Sequence, residues 1–180
     1  MSLVIRPETP ADYPSVAEVN TLAFGRADEA RLVERIRESE HYLPALSLVA
    51  EAEGRVVGHI LFSYVGLEGP IPRRVLALAP MAVHPDWQGQ GVGSALVEAG
   101  LEKCVLLLSC SEAADRMGEP LVVVLGHRKF YPRFGFEPSV RYGIEPPFPV
   151  DEAVFMVRPL PGYSPELRGR IVYPPAFAGV

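Results

Sequence analysis

The stretch Val75-Leu76-Ala77-Leu78-Ala79-Pro80-Met81-Ala82-Val83-His84-Pro85-Asp86-Trp87-Gln88-Gly89-Gln90-Gly91-Val92-Gly93-Ser94 decides the architecture. Its apolar first part has the length and composition of a buried strand, from Val75 to Val83, closed by His84-Pro85. A helix is expected from Ser94, where Ala95, Leu96 and Ala99 begin a periodic apolar pattern. Between the two, Gly89, Gly91 and Gly93 put three glycines in five residues. Glycine lets a backbone turn sharply and approach a ligand closely, and a helix start offers unbonded amides at a positive dipole end. That combination suits a pyrophosphate, although a tight glycine turn with no ligand would read the same way.

Working outward, Leu3-Val4-Ile5-Arg6 reads as a strand and Thr9-Pro10-Ala11-Asp12 as a helix start, with a capping hydroxyl and a proline in the first turn. Val16, Val19, Leu22 and Ala23 keep helical spacing up to Phe24-Gly25, and a second helix runs from Asp28 through Leu32, Val33 and Ile36. Leu46 to Ala50 and Val56 to Phe62 form a hairpin around Glu53-Gly54-Arg55. The helix from Ser94 is expected to reach about Met117, before Gly118-Glu119-Pro120. Leu121 to Leu125 then reads as a buried strand, His127 to Phe134 as a short helix and Glu152 to Val157 as a last strand. The tail ending Tyr173-Pro174-Pro175-Ala176-Phe177 carries aromatics and is expected to pack on the domain.

This order predicts an α+β (mixed α/β) fold, with a mostly antiparallel sheet that turns parallel where a helix crosses over. At 180 residues one domain covering 1–180 is the natural size. A formal charge of −5 with no run of lysines or arginines lacks the footprint of a nucleic-acid binder. No stretch approaches the ~20 apolar residues of a membrane span, and the N-terminus lacks the regions of a signal peptide. A cytoplasmic protein without nucleic-acid or membrane partners is therefore expected. Cys104 and Cys110, six apart, would stand ~9 Å apart along one helix, so they read as buried free thiols.

Competing phosphate loops fail on spacing. A Walker loop needs Gly-Lys-Ser/Thr, and no lysine precedes Ser94. A dinucleotide fingerprint needs Gly-x-Gly-x-x-Gly directly after the first strand, whereas Gly89-x-Gly91-x-Gly93 follows His-Pro-Asp-Trp-Gln. What Gln88-x-x-Gly91-x-Gly93, after a strand ending Met81-Ala82-Val83, resembles is the Gln/Arg-x-x-Gly-x-Gly/Ala motif of the GNAT superfamily of N-acetyltransferases. Phe130-Tyr131-Pro132-Arg133-Phe134-Gly135-Phe136 is similar to the family's aromatic-Tyr-x-x-x-Gly-Phe segment. Ala23-Phe24-Gly25, Glu29-Ala30 and the Tyr-Pro-Pro-Ala-Phe tail look like its YhbS-like subgroup.

The resemblance implies the GNAT acyl-CoA N-acyltransferase fold, with splayed parallel strands and flanking helices, and acetyl-CoA as cosubstrate with no metal. It implies that Met81, Ala82 and Val83 bind the pantetheine arm as an added strand, and that Gln88, Gly89, Gln90, Gly91, Val92, Gly93 and Ser94 hold the pyrophosphate. It implies direct transfer of acetyl to a primary amine, on a small molecule or on a protein N-terminus or lysine.

Such transfer needs a neutral amine, an amide donor for the developing oxyanion and a proton for the departing thiolate. A backbone N–H of the strand before the loop fits the oxyanion, and Tyr131, four residues before Gly135 as in the family, is the candidate catalytic acid. A packed aromatic is the bland alternative for Tyr131. Glu68, His84 and His127 are weak candidates for a base, each more readily a surface or structural residue. The chain departs from the family in having no glutamate between Val75 and Met81, and in carrying Val124 and His127 where many members carry asparagine and alanine. A non-catalytic acetyl-CoA sensor or partner protein on the same fold is the alternative function, and an acyltransferase for longer chains a further one. The apolar segment Cys104 to Cys110 is expected to be buried, against the tail or in a homodimer.

Overall fold

The computed structural model describes residues 2–106 and 118–179. The chain forms two compact units, one made of Met1–Ser63, Ala79–Lys103 and Pro175–Val180, the other of Tyr64–Leu78 and Cys104–Pro174.

The first unit opens with β1 (Leu3–Pro7), a 3-10 turn at Pro10–Asp12, α1 (Tyr13–Phe24) and α2 (Asp28–Arg37). The Asp12 carboxylate accepts from the Thr9 amide at 2.8 Å and the Thr9 hydroxyl at 2.9 Å, and so ties the turn ahead of α1. Gly25, at φ 69°, stops α1 by donating its amide to the Thr21 carbonyl. β2 (Tyr42–Ala52) and β3 (Arg55–Glu68) pair antiparallel around Glu53 and Gly54, both with positive φ, the geometry of a two-residue hairpin loop. β1 lies antiparallel to β2, with Ile5 opposite Ala50.

Apolar residues of β2 and β3 alternate between two faces. Val49 and Leu61 meet Val16, Leu32, Val33 and Ile36 of the first two helices, and Ala176 and Phe177 of the tail pack against the same cluster. On the opposite face Gly58 admits α3 (Val92–Leu106) closely: a methyl there would lie 2.9 Å from Leu96 Cδ1. The last five residues of β4 (Arg73–Val83) and a 3-10 turn at Pro85–Trp87 lead into that helix. α3 starts two residues earlier than its apolar pattern predicts, because the Gly91 carbonyl already accepts from the Ala95 amide.

The second unit holds the end of β3, the start of β4, β5 (Leu121–Leu125), β6 (Glu137–Pro138), β7 (Ile144–Glu145), β8 (Phe155–Pro159) and β9 (Gly169–Val172). β4 and β5 are parallel over three pairs, Leu76 with Val122 to Leu78 with Val124, and β8 lies antiparallel to β5. The nine strands form one mixed sheet in the order β1-β2-β3-β4-β5-β8-β6, with β9 on β3 and β7 on β9.

Two expectations change here. His127–Phe134 is a turn followed by a 3-10 turn at Tyr131–Phe134: the Phe130 and Tyr131 amides converge on the His127 carbonyl, and Pro132 has no N–H to continue an α-helix. The strand expected at Glu152–Val157 begins at Phe155, because Asp151 organises a turn through its side chain to the Ala153 amide and its carbonyl to Val154. Cys104 is buried and free, its thiol pushed up to about 12 by burial and by Glu119. Cys110, and the expected helix beyond Leu106, fall on residues 107–117, outside those described. Among the described residues no helix is long and apolar enough to cross a membrane.

Candidate functional site

On β4 the ladder with β5 stops at Leu78 while the strand runs on to Val83. Met81 and Val83 are half-buried, and Ala82 between them is 2% exposed. The alternation that buries Ala82 leaves the backbone of Met81 to Val83 extended.

The loop that follows is latched by its own polar groups. The His84 amide donates to the Val57 carbonyl of β3 at 2.9 Å, and the His84 ring nitrogen Nδ1 accepts the Asp86 amide at 3.2 Å. Gln88 Nε2 donates to the Val83 carbonyl at 3.0 Å and Gln90 Nε2 to the Asp86 carbonyl at 2.8 Å. These glutamine side chains face back onto the loop that carries them. Gly89 (φ 73°) and Gly91 (φ 87°) both adopt left-handed backbone, and open space surrounds the position of a Cβ at either. Val92 and Gly93 precede the first intrahelical bond, so their amides have no carbonyl one turn back, and α3 has no acidic residue in its first turn. Met81, Ala82, Val83 and Gln88 to Ser94 thus lie together in the first unit, with Gln88 to Gly91 exposed and Val92 buried at the helix start.

Tyr131 belongs to the second unit and is 5% exposed. Its ring meets Phe130 edge-on at 5.1 Å and Phe136 at 5.6 Å. Burial pushes its phenol up to about 12, so it is a proton donor throughout the neutral range. Of the three weak base candidates, Glu68 is exposed at the end of β3 opposite Arg170 of β9. His84 caps the 3-10 turn and lines a polar cleft of about 240 Å³ with Arg6, Asp12 and Glu18, while His127 is exposed and uses its carbonyl to organise the Tyr131 turn.

A buried polar knot in the first unit escapes a reading of the sequence. The Glu8 side chain, 1% exposed, is gripped by Arg37 through two hydrogen bonds of 2.9 and 2.6 Å and by the Tyr42 hydroxyl at 2.8 Å. His59 is fully buried, with Nε2 3.1 Å from Ser47 Oγ and Nδ1 3.2 Å from the Asn20 amide nitrogen. That nitrogen also donates to the Val16 carbonyl at 2.8 Å. Asn20 is therefore the donor to His59, Nδ1 accepts, and the neutral ring carries its proton on Nε2. Burial pushes His59 down to about 4. Burial also works against the Glu8 carboxylate, but the bonds from Arg37, Tyr42 and Ser47 outweigh it and hold its pKa below the usual range. The available signal was two polar residues, Ser47 and His59, inside apolar strand runs, with nothing local to pair them.

Mixed sheet, crossover helix and glycine loop together have the architecture of an acyltransferase. The domain model described as "Acetyltransferase (GNAT) domain" matches residues 43–138. The N-acetyltransferase YjhQ of Escherichia coli K12 is 40% identical over 166 residues, covering 89% of this chain and 86% of that protein. A crystal structure of the GNAT family N-acetyltransferase YhbS from Escherichia coli in complex with CoA superposes with a TM-score of 0.80 at 30% identity, covering 97% of this chain and 91% of that one. A GNAT family acetyltransferase from Brucella melitensis in complex with acetyl-CoA does so with a TM-score of 0.74 at 29% identity, covering 98% of each chain. The chain belongs to the GNAT family and is an N-acetyltransferase with the GNAT fold.

Proposed function

We propose that this enzyme takes acetyl from acetyl-CoA and transfers it directly to a primary amine, on a small molecule or on a protein N-terminus or lysine, with residues 1–180 acting as one catalytic domain. The observation that carries the donor assignment is the pair of left-handed glycines, Gly89 and Gly91, with open space where side chains would stand, ahead of a helix start without acidic residues. Two bulky, negatively charged phosphate groups fit such a loop, and a carboxylate or side chain there would repel them. In this reading the amides of Gly89, Gln90, Gly91, Val92, Gly93 and Ser94 hold the pyrophosphate, and Gln88, whose amide donates to the Pro85 carbonyl at 3.3 Å, belongs to the same site. Met81, Ala82 and Val83 hold the amide-bearing arm through backbone groups, as an added strand would be held. The relatives solved with CoA and with acetyl-CoA support the same donor.

In the transfer, the lone pair of a neutral amine forms a bond to the acetyl carbonyl carbon, and the carbon–sulfur bond breaks with its electrons going to sulfur. Tyr131 gives its phenol proton to the departing sulfur. The amine nitrogen sheds a proton to water, and solvent restores the phenol. A backbone amide at the end of β4 stabilises the oxyanion. At the far end of α3, the exposed Val105 and Leu106 offer a face for a second copy of the chain.

Calorimetric titration with acetyl-CoA, followed by thiol release with polyamines, aminoglycosides, amino acids and peptides, tests the reading. Binding with acceptor-dependent release supports it. Binding without release from any amine would leave a sensor as the better account, and absence of binding would sink the donor assignment. Tyr131→Phe is expected to lower the rate about 100-fold or more with acetyl-CoA affinity unchanged; an unchanged rate would remove Tyr131 from the chemistry.

A further inference from the structure

We infer that Gly126 is a positioning residue for Tyr131: its bare α-carbon is the surface on which the phenol ring rests, and it thereby sets where the hydroxyl points. The inference rests on the catalytic role proposed for Tyr131. Gly126 follows the last residue of β5 and donates its amide to the Val154 carbonyl at 2.9 Å, so its backbone is held in place. Its φ lies outside the left-handed region, and an alanine could adopt the same backbone. The need for glycine comes from the ring. A Cβ at position 126 would stand 2.2 Å from Tyr131 Cε2, 2.9 Å from Cδ2 and 3.2 Å from Cζ, the carbon that bears the hydroxyl.

The ring has little freedom to yield elsewhere. Phe130 meets it at 88° and Phe136, 1% exposed, at 73°. The Tyr131 amide reaches the His127 carbonyl at 3.4 Å, and the Gly135 amide closes the same turn on Pro132 at 3.1 Å. Restoring van der Waals distance to a methyl at 126 requires the ring edge to move by roughly 1 Å, a displacement large enough to cost on the order of 100-fold in a positioned reaction.

The test uses the full chain as wild type, Gly126→Ala, Tyr131→Phe and the double variant. Each is assayed for kcat with acetyl-CoA and the amine of the panel that turns over fastest, for acetyl-CoA affinity by calorimetry, and for thermal stability. Alanine crowds a phenylalanine ring as it does a tyrosine ring, so thermal stability is expected to fall alike in both backgrounds. The rate should behave differently: G126A lowers kcat about 10- to 100-fold when Tyr131 is present and leaves it within about twofold in the Y131F background. In G126A the alkaline limb of kcat/KM should also move to lower pH, as the phenol loses burial. Equal rate losses in both backgrounds would overturn the inference, because the effect would then be structural. An unchanged G126A rate beside a crippled Y131F would overturn it too, and would leave the role of Tyr131 standing. An unchanged Y131F rate would remove that role and this inference with it. Should G126A not fold, Phe130→Leu, which loosens a half-buried wall of the same ring, is read in the same two backgrounds against the same outcomes.

Discussion

The glycine loop and the Glu8 knot are built from opposite materials. The loop from Gln88 to Gly91 is exposed, with glycines that leave space and glutamine side chains turned back onto the loop itself, so that its surface is largely backbone. The knot works through side chains: Arg37 and the half-buried Tyr42 hold the Glu8 carboxylate, which is 1% exposed, and beside it the buried Ser47 and Asn20 hold the buried His59. A backbone device tolerates loss of side chains but resists any gain at its glycines. A buried ionic device fails when one member is removed, because the partner is left charged and without solvent.

The contrast can be broken most severely at Arg37. Arg37→Met, a change of similar length without charge, leaves the Glu8 carboxylate buried and is expected to lower unfolding free energy by about 3–5 kcal/mol in urea. A loss below about 1 kcal/mol would mean that Tyr42 and Ser47 suffice to hold the charge. Acid should act on the knot next most strongly. The folded pKa of His59, about 4, lies below its ordinary 6.5, so between those values the unfolded chain binds a proton that the folded chain does not. Stability is then full above about pH 6.5 and falls as pH drops towards 4, by up to about 1.4 kcal/mol per pH unit, a slope that His59→Gln should flatten. Glu8 and Asp12, whose pKa values are lowered from 4.5 and 3.8, add their own loss at more acid pH.

The loop should respond more mildly. Gly91→Ala forces a side chain into left-handed backbone at about 1–2 kcal/mol, read as lost stability or as up to about tenfold weaker acetyl-CoA binding. Gln90→Ala removes one exposed hydrogen bond and is expected to change stability and binding by about 0.5–1.5 kcal/mol or less. A glutamine variant more damaging than G91A would show that side chains carry the loop.

Much of this was legible because it is local. Gly25 ends a periodic run and does stop α1; Glu53-Gly54 between apolar runs does turn the hairpin; Gln88-x-x-Gly91-x-Gly93 does join strand to helix. Local spacing specified these because each depends on the conformational range of the residues themselves. β6, β7 and β9 went unread, as strands of two to four residues exist only through the partners they find, Met156 and Val157 of β8 or Gly66 to Glu68 of β3. Tyr131 could be picked out by its neighbours in sequence, but the glycine beneath it could not, because Gly126 matters through a ring five positions away across a turn. Glu8, Asn20, Arg37 and His59 come from four separate parts of the first unit, and no spacing rule links them.

The first unit is assembled from three separated pieces of chain, and its last piece, Pro175–Val180, packs Phe177 on the α1–α2 cluster and receives Arg35 Nη1 at the Ala178 carbonyl, 2.8 Å away. This unit is therefore complete only when a segment more than 70 residues beyond Lys103 has joined it. Closure between residues 35 and 178 is a long-range event, of the kind that slows folding. Until that closure, the apolar cluster of Val16, Leu32, Val33 and Ile36 lacks the aromatic cover that Phe177 gives it.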